Sequence, residues 1–595
     1  MGIIVLNYYM IKKSTFLVSW LLLVTMLGYG QNYQQSYLSA KALFNEGKYG
    51  LAREAFKPLI AKNELNDFSA YASFYYAVSS YRDGFPALAK DMFLQIKQLY
   101  PKWTRIDEVN YWLGQIYLET DSYDAALSVL REIRKDEIET DGANLRRYYF
   151  SKIEEYDLLV ELYKTYPSEP YLANELAATI AKQPLVNQDH DLLNEIIERF
   201  ELDPNDFNMV SKSESVFKDE YRVAVLYPFM VNDLQPNDRR KFNQFILDIY
   251  NGIRLAADSL NRKGVRLKLL RYDTRRSERQ LESILEKEEM LSVDVIIGPF
   301  SSKLTERVNE FSFKNKINVI NPLRTDSEVI GNNPYSFLYY PSNETMGKKM
   351  AEYTLKNKDR RPGVIIYGQD KSDSVLAFSY KEQMEKDSFN IIITKRVHKD
   401  STRQILDLFL VKDTKLGNAG SSQAKERYQL APDSISHVFI ASDDELIASK
   451  IVSAVDTRGD SIMIIGPSSW LELPVINYDD YRRLGISLYA PAYQKRSDEI
   501  FNNFREAYIR KHRVVPSKHA SIGYDLMMLL GEGLDKHGKY FQIGWGDQKF
   551  IDGCLTVGHR YALTNDNNIV PILTFEDKGV KISYEIDEDR YAVEE

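Results

Sequence analysis

A chain of 595 residues exceeds what one hydrophobic core organises, so about three or four folding units are expected at roughly 150 residues each. With 44% hydrophobic, 27% charged and 12% aromatic residues the composition is that of globular domains, which excludes a mostly disordered or collagen-like chain. Lys and Arg number 77 against 85 Asp and Glu, a net charge of -8 that offers no footprint for nucleic acid, and the single cysteine, Cys554, rules out an internal disulfide and a Cys-rich zinc site.

Lys12 and Lys13 precede an uncharged stretch from Phe16 to Leu27, and Gly28-Tyr29-Gly30 follows. This is the pattern of a secretory signal, residues 1–30, with cleavage expected after Gly30. The apolar stretch is too short to span a bilayer, which needs about 20 residues of helix. Met10 opens a segment that is a complete signal by itself, so the true start is Met1 or Met10. No cysteine lies near the cleavage site, so a lipoprotein anchor is not expected there. The mature chain is expected to be soluble, without a transmembrane segment, outside the cytoplasm.

From 31 to about 202 the chain repeats. Gly47, Gly84 and Asp121 stand 37 residues apart, and Ala40, Ala77 and Gly114, Phe44, Tyr81 and Leu118, Ala52, Ala89 and Ala126, and Phe56, Phe93 and Leu130 keep the same register. Small residues recur where helices approach closely and bulky ones where a core is filled. Gly47-Lys48-Tyr49, Asp83-Gly84-Phe85 and Asp121-Ser122-Tyr123 each separate two apolar helical stretches, as the turn of a helical hairpin must. In this the segment resembles the tetratricopeptide repeat family, over three units whose period exceeds the usual value of about 34. Helices are also expected at Leu145 to Tyr166 and Tyr171 to Ala181, closed by Pro167 and Pro184. A stacked array leaves a long concave surface suited to proteins or peptides. The aromatic stripe of Tyr37, Tyr75 and Tyr111 reads as packing. Residues 203–220 have few apolar anchors and read as a linker.

Residues 221–595 alternate short β-rich runs with amphipathic helices, the sign of parallel strands with crossover helices. The first series is Arg222 to Leu226, Arg266 to Leu270, Val293 to Ile297 and Ile317 to Ile320. The second is Gly363 to Tyr367, Asn390 to Thr394, Ser436 to Ala441 and Ser461 to Ile465. A helix from Phe242 to Leu260 presents Phe245, Ile249, Ile253, Ala256, Ala257 and Leu260 along one face. The polar stretch between Val411 and Ile435 is longer than the usual connection of up to about 12 to 15 residues, and is either a tether or a protein-contact element.

Val223 to Pro228, Asn251-Gly252-Ile253, Leu269 to Asp273, Val295 to Ser302, Val319 to Pro322 and Tyr340 to Glu344 follow in an order and spacing similar to the type I periplasmic binding proteins, in their branched-chain amino-acid receptor branch. Leu488 to Pro491, Tyr524-Asp525 and Ile569 to Phe575 extend the likeness. The fold class is then α plus α/β: a helical-hairpin array followed by a two-lobed α/β domain of type I periplasmic-binding-protein kind. The resemblance implies lobe 1 at about 221–340 and 490–540, lobe 2 at about 341–489 and 545–585, and crossings near Tyr340, Tyr489 and Trp545.

Ligands in such sheets sit beyond the carboxyl ends of strands. Gly298-Pro299-Phe300-Ser301-Ser302 leads from a strand into a helix, so free N–H groups and hydroxyls of Ser301 and Ser302 can hold a carboxylate; an ordinary helix N-cap is the competing reading, and the two are compatible. By the same resemblance Tyr227 to Phe229 and Asn321 to Thr325 line the rim of lobe 1, and Tyr367-Gly368-Gln369 with Gly466-Pro467-Ser468 that of lobe 2. An ammonium group needs a carboxylate, for which Asp443, Asp444 and Glu445 are candidates; a merely solvated acidic turn is the competing reading.

No G-x-S-x-G or G-x-G-x-x-G occurs, and Gly533 to Gly538 with Lys539 places Tyr540 where a phosphate loop needs Ser or Thr. His559 near Cys554 and the other six histidines show no metal-ligand spacing. The expectation is a non-catalytic protein with no cofactor and no metal. Its domain order is similar to the penicillin-binding-protein activators of Gram-negative bacteria, which implies a soluble periplasmic regulator or scaffold of peptidoglycan synthesis that meets envelope proteins through its repeats. It departs from them in lacking a lipoprotein cysteine. The alternative is a solute receptor that binds an amino acid or related small anion between its lobes and feeds a transporter.

Overall fold

A computed structural model describes residues 33–64, 66–210, 216–231, 243–410, 412–413, 427–577 and 579–584. The signal segment lies outside the described residues, as does most of the polar stretch after Val411. Contacts divide the chain into two compact units, one reaching Ile180 and taking in Glu198–Phe200, the other formed by Ala181–Ile197 and the residues from Glu201 onward.

The first unit is helical. Its helices are α1 (33–45), α2 (Tyr49–Phe56), α3 (Ser69–Arg82), α4 (Pro86–Leu99), α5 (Ile106–Glu119), α6 (Tyr123–Leu130), α7 (Asp136–Phe150) and α8 (Tyr156–Thr165), then α9 (Pro170–Lys182) and α10 (His190–Phe200) where the units meet in sequence. The expected turns separate α1 from α2, α3 from α4 and α5 from α6. Gly47 and Gly84 adopt positive φ at the first two and Asp121 at the third, a left-handed conformation that ends a helix without a third turn residue. Ala40, Ala77, Ala52, Ala89 and Ala126 are fully buried, and so are Phe56, Phe93 and Leu130. The single helix expected from Leu145 to Tyr166 is two. Ile153 turns into the core, and the amides of Ser151, Lys152 and Ile153 bond back to Arg147, Tyr149 and Phe150, which closes α7 before α8 begins.

The second unit holds two sheets. Lobe 1 is built on β1 (Tyr221–Tyr227), β2 (Leu267–Asp273), β3 (Val295–Ile297), β4 (Asn318–Asn321) and β5 (Ser336–Leu338), all parallel, in the order β2-β1-β3-β4-β5. The fifth strand is an addition to the four expected; at three residues it is too short to show a period. Lobe 2 uses β6 (Gly363–Tyr367), β7 (Ile391–Arg396), the small β8 (Lys412–Asp413) and β9 (Arg427–Tyr428) ribbon, β10 (His437–Ala441), β11 (Met463–Pro467) and β12 (Ser487–Tyr489). After β13 (Ile551–Asp552) and β14 (Gly558–His559), β15 (Ile572–Glu576) and β16 (Gly579–Ser583) add an antiparallel edge, giving β16-β15-β12-β11-β10-β6-β7.

Both sheets are covered on both faces. Val223, Val225 and Tyr227 enter one core of lobe 1 while Ala224 and Leu226 enter the other, and Val438 and Ile440 part from Phe439 and Ala441 in the same way in lobe 2. This two-sided burial explains the nearly continuous apolar runs of the sequence. The layers are α11 (Gln244–Arg262), α12 (Glu278–Leu285) and α13 (Ser302–Asn315) in lobe 1, α14 (Asn343–Asn357), α15 (Lys371–Lys386), α16 (Arg403–Leu410), α17 (Glu445–Arg458) and α18 (Tyr478–Arg483) in lobe 2, and α19 (Glu499–His512), α20 (Lys518–His537) and α21 (Gln542–Asp547) back in lobe 1. Helices α11 and α20 touch backbone to backbone: a Cβ on Gly252 would lie 2.0 Å from the Ala520 carbonyl oxygen, and one on Gly523 1.9 Å from that of Ile249.

The chain crosses between lobes after Tyr340 and after Tyr489, but the third crossing is not at Trp545. Trp545 and Tyr561 stack in the lobe 1 core beside Phe337, and the chain reaches the other sheet only at β15. The crossings are bound together by buried polar groups. Asp566 accepts hydrogen bonds from the Ser342 amide (2.9 Å), the Ser342 hydroxyl (2.6 Å) and the Thr345 hydroxyl (2.5 Å). Asn567 donates to the Tyr339 carbonyl, and Asp525 accepts from the Tyr339 hydroxyl (2.6 Å), the Thr556 hydroxyl and the Leu555 and Thr556 amides. Burial pushes the Asp566 carboxyl up to about 6, against the pull of the Ser342 and Thr345 hydrogen bonds. For Asp525 burial acts the same way, but hydrogen bonds from His559, Leu555 and Tyr339 outweigh it and hold the group below its ordinary value.

Two outcomes follow. Gly252→Ala or Gly523→Ala forces α11 and α20 apart and costs about 1–3 kcal/mol, read as a lower urea midpoint with unchanged slope. Because Asp566 titrates higher folded than unfolded, its contribution is full in acid and is lost as pH rises from about 4 to about 6. Asp566→Asn therefore removes that part of the pH dependence of Tm, whereas Asp566→Ala leaves buried donors unpaired at about 1–3 kcal/mol each and lowers Tm throughout. An unchanged pH profile in the Asn variant would refute the assignment.

Candidate functional site

The carboxyl ends of the parallel strands of both lobes lead into the loops that form a cleft. From lobe 1 come the turn from β3 into α13 and the segment after β4, Pro322 to Asp326; from the first crossing comes the start of α14. Lobe 2 supplies the turn from β6 into α15, the turn from β10 into α17 and Ser468-Ser469 after β11. Right-handed crossovers place every such turn on the same edge of its sheet, the edge where ligands bind in open α/β folds.

Two chambers lie between the lobes. The first, about 320 Å³, is lined by Thr325, Asn343, Ser372, Asp373, Ser442, Asp443, Ser468, Ser469 and Tyr489 with apolar Met346 and Leu376. The second, about 280 Å³, is lined by Ser302, Arg324, Thr325, Asp326, Glu328, Asn343, Glu344, Lys371 and Ser372. Thr325, Asn343 and Ser372 are common to both, so the chambers adjoin. A larger groove of about 610 Å³ runs along α13 past Asn309 and Phe313 and meets the second chamber at Ser302, Arg324, Asp326 and Glu328; it lies on lobe 1 alone. Two exposed ion pairs join the lobes across the cleft, Lys371 with Glu328 at 3.0 Å and Lys518 with Glu472 at 3.7 Å.

Of the residues singled out in the sequence, Ser302 and Thr325 reach the second chamber and Thr325 and Ser468 the first. Ser301 occupies the N-cap of α13, but its side chain makes no capping bond; its carbonyl accepts from the Thr305 amide and hydroxyl. The Ser302 hydroxyl already accepts from the Arg324 guanidinium at 2.5 Å, and Arg324 pairs with Asp326. An amino acid's carboxylate would meet a position held by that cation rather than a bare helix terminus.

Tyr227 and Phe229 do not line either chamber. Both are buried in the lobe 1 core, where Tyr227, the last residue of β1, stacks on Phe300 at 4.5 Å and Phe229, just past the strand, packs near Tyr227 and Tyr250. Asn321 is buried too, and its amide is spent on the loop: it donates to the Pro299 carbonyl and accepts from the Leu323 and Arg324 amides. Tyr367 packs edge-on against Phe378 at 5.7 Å, and Gln369 is exposed, its carbonyl accepting from Arg396. The intervening Gly368 does matter: a Cβ there would lie 2.2 Å from the Asp373 carboxylate and 2.9 Å from the Ser442 hydroxyl, so its bareness gives these two groups their place.

Among the three acidic candidates the geometry separates the roles. Asp444 caps α17, accepting from the Leu446 and Ile447 amides, and Glu445 is exposed in the first turn. Asp443 lines the first chamber and accepts from the Ser469 hydroxyl. Asp373, in the first turn of α15, was not among the sequence candidates; its only sequence signal is its closeness to a strand end at the start of an otherwise ordinary helix. Its carboxyl is pushed up to about 6, by burial first and then by Asp370 and Asp443, with Arg396 acting the other way.

The groups with catalytic potential lie elsewhere. Burial pushes the Cys554 thiol up to about 12, so it stays protonated, and His559 is committed to Asp525 and Asn567. Gly533 to His537 is the end of α20, a helix rather than a phosphate loop. Among the described residues no group of three or more His, Cys, Asp or Glu could hold a metal ion, and no helix is long and apolar enough to cross a membrane.

Residues 246–405 match a protein family described as periplasmic binding protein. No curated protein matches the chain. Similar solved structures include an ABC transporter substrate-binding protein from Desulfitobacterium hafniense in complex with Leu, at 17% identity over 61% of this chain and 100% of that one, with a TM-score of 0.41. A leucine binding protein from Thermotoga maritima is 18% identical over 62% of this chain and 99% of its own, with a TM-score of 0.39. A branched chain amino acid ABC transporter periplasmic ligand-binding protein from Burkholderia xenovorans is 10% identical over 63% and 97%, with a TM-score of 0.44. The family match begins in α11 and ends in α16, so it takes in strands of both lobes and the first crossing between them.

Proposed function

We propose that the two-lobed domain is a non-catalytic receptor for a small polar solute, held between its lobes outside the cytoplasm. The observation that carries this reading is the cleft itself. It is open rather than filled by side chains, and it gathers hydroxyl, amide and carboxylate groups from both lobes onto an otherwise packed wall, which is how small-molecule sites are built. The family match over 246–405 supports it. A thermal-shift screen of the mature chain against amino acids, amines and small acids tests it: a ligand present at 100 times its Kd adds about 2.7 kcal/mol and raises Tm. The shift should fall to about half or less in Asn343→Ala, and no shift with any solute would count against a receptor.

A second reading, regulation of the peptidoglycan machinery by protein contact in the periplasm, is favoured by the helical unit. Helices α2, α4 and α6 begin at Tyr49, Pro86 and Tyr123, 37 residues apart, and Ala52, Ala89 and Ala126 of one register are equally buried, which supports tetratricopeptide-like units up to Leu130 within the helical segment expected over residues 31–202. A solenoid of this kind offers a face for envelope proteins that a simple shuttle does not need. The two readings are compatible in one chain. Crosslinking in cells should recover a peptidoglycan synthase with the full chain and not with one lacking residues 33–180; equal recovery by both would remove the support.

A further inference from the structure

The charges of the cleft narrow what it can hold. Among the described residues lining the two chambers there are five carboxylates, Asp326, Glu328, Glu344, Asp373 and Asp443, and two cations, Arg324 and Lys371. Each cation is already paired with a wall carboxylate, Arg324 with Asp326 and Lys371 with Glu328. What is left over is negative in both chambers. Asp373 and Asp443 lie in the first with no basic group lining it, and Glu344 lies in the second with one oxygen bonded to the Ser327 hydroxyl and the other, Oε2, buried without a partner.

An independent observation marks the passage between the chambers as a place built for a ligand. Asn343 lines both; the residue is only 7% exposed, its backbone amide donates to the Thr325 carbonyl, and its side-chain amide, which bonds to no described residue, faces the chambers. A side-chain amide that faces a cavity offers both a donor and an acceptor to whatever occupies it. The hydroxyl-bearing Thr325 and Ser372 flank the same passage.

Resting on the receptor reading above, we infer that the ligand is an elongated diamine or oligoamine, with one ammonium group between Asp373 and Asp443, another toward Glu344, and the linking segment passing Asn343. A single zwitterionic amino acid fits this wall poorly. Its ammonium group would find Asp373, but its carboxylate would then face Asp443 or Glu344, neither of which is paired with a cation of the wall.

The test is calorimetric titration of the mature chain with 1,4-diaminobutane, spermidine, leucine and glutamate, at two salt concentrations. Saturable one-to-one binding of an amine is expected, weakened about tenfold or more in the Asp373→Asn, Asp443→Asn double variant and in Asn343→Ala. Both replacements are close in shape to the native carboxylates, and unchanged circular dichroism and Tm of the apo variants separate lost binding from lost fold. Binding should also tighten from pH 5 to pH 7.5 as Asp373 ionises beside Asp370, Asp443 and Arg396, and the double variant should lose that dependence. Leucine or glutamate binding with no response to amines overturns the inference and leaves the receptor intact. Amine binding that the variants do not alter also overturns it, since it is then surface attraction. Silence from all four, together with silence in the wider screen, removes the receptor reading itself.

Discussion

Everything that makes the cleft a cleft depends on how the two sheets are tied where the chain passes between them. That tie is polar and buried. Asp566 gathers three donors from the start of α14, Asn567 reaches the Tyr339 carbonyl, and Asp525 draws together Tyr339, Leu555, Thr556 and His559. An apolar joint of the same size could slide, because dispersion contacts have little direction. Carboxylates with several fixed donors cannot be satisfied in a second register, and their burial makes any misalignment costly. The same helix that Asp566 holds in place presents Asn343 to both chambers, so the tie and the site are neighbours on one turn of backbone.

The architecture was largely legible because burial leaves a pattern. Parallel strands covered on both faces must be apolar throughout, which is why Val223 to Leu226, Val295 to Ile297 and Val438 to Ala441 stand out from the sequence. Helical hairpins must place small residues at close approaches, and Ala52, Ala89 and Ala126 do so. What escaped was set by length and by distance. Strand β5 is too short to carry a period, the third crossing depends on Trp545 and Tyr561 choosing one core over another, and Ile153 breaks a helix that local propensity would have continued.

The site was less legible for a related reason. Being near the end of a strand does not say which way a side chain faces. Tyr227 follows the alternation of β1 into the core and Phe229 turns in just beyond it, Asn321 spends its amide on its own loop, and Thr325 and Ser468 reach the cavity. Asp373 and Asn343 lie within helices and look in sequence like any polar residue of a solvated face. Asp373 is enclosed by the loop after β10 that carries Ser442 and Asp443, and Asn343 by the loop that carries Thr325, so both placements are properties of the tertiary structure alone.

The two ion pairs that bridge the lobes, Lys371 to Glu328 and Lys518 to Glu472, are exposed at both ends. Such contacts contribute roughly 0–1 kcal/mol and are damped by dissolved ions, whose screening length is about 8 Å at physiological ionic strength. The two rims are thus fastened to each other only lightly, by contacts that added salt loosens, while the firm attachment lies at the buried joint behind them.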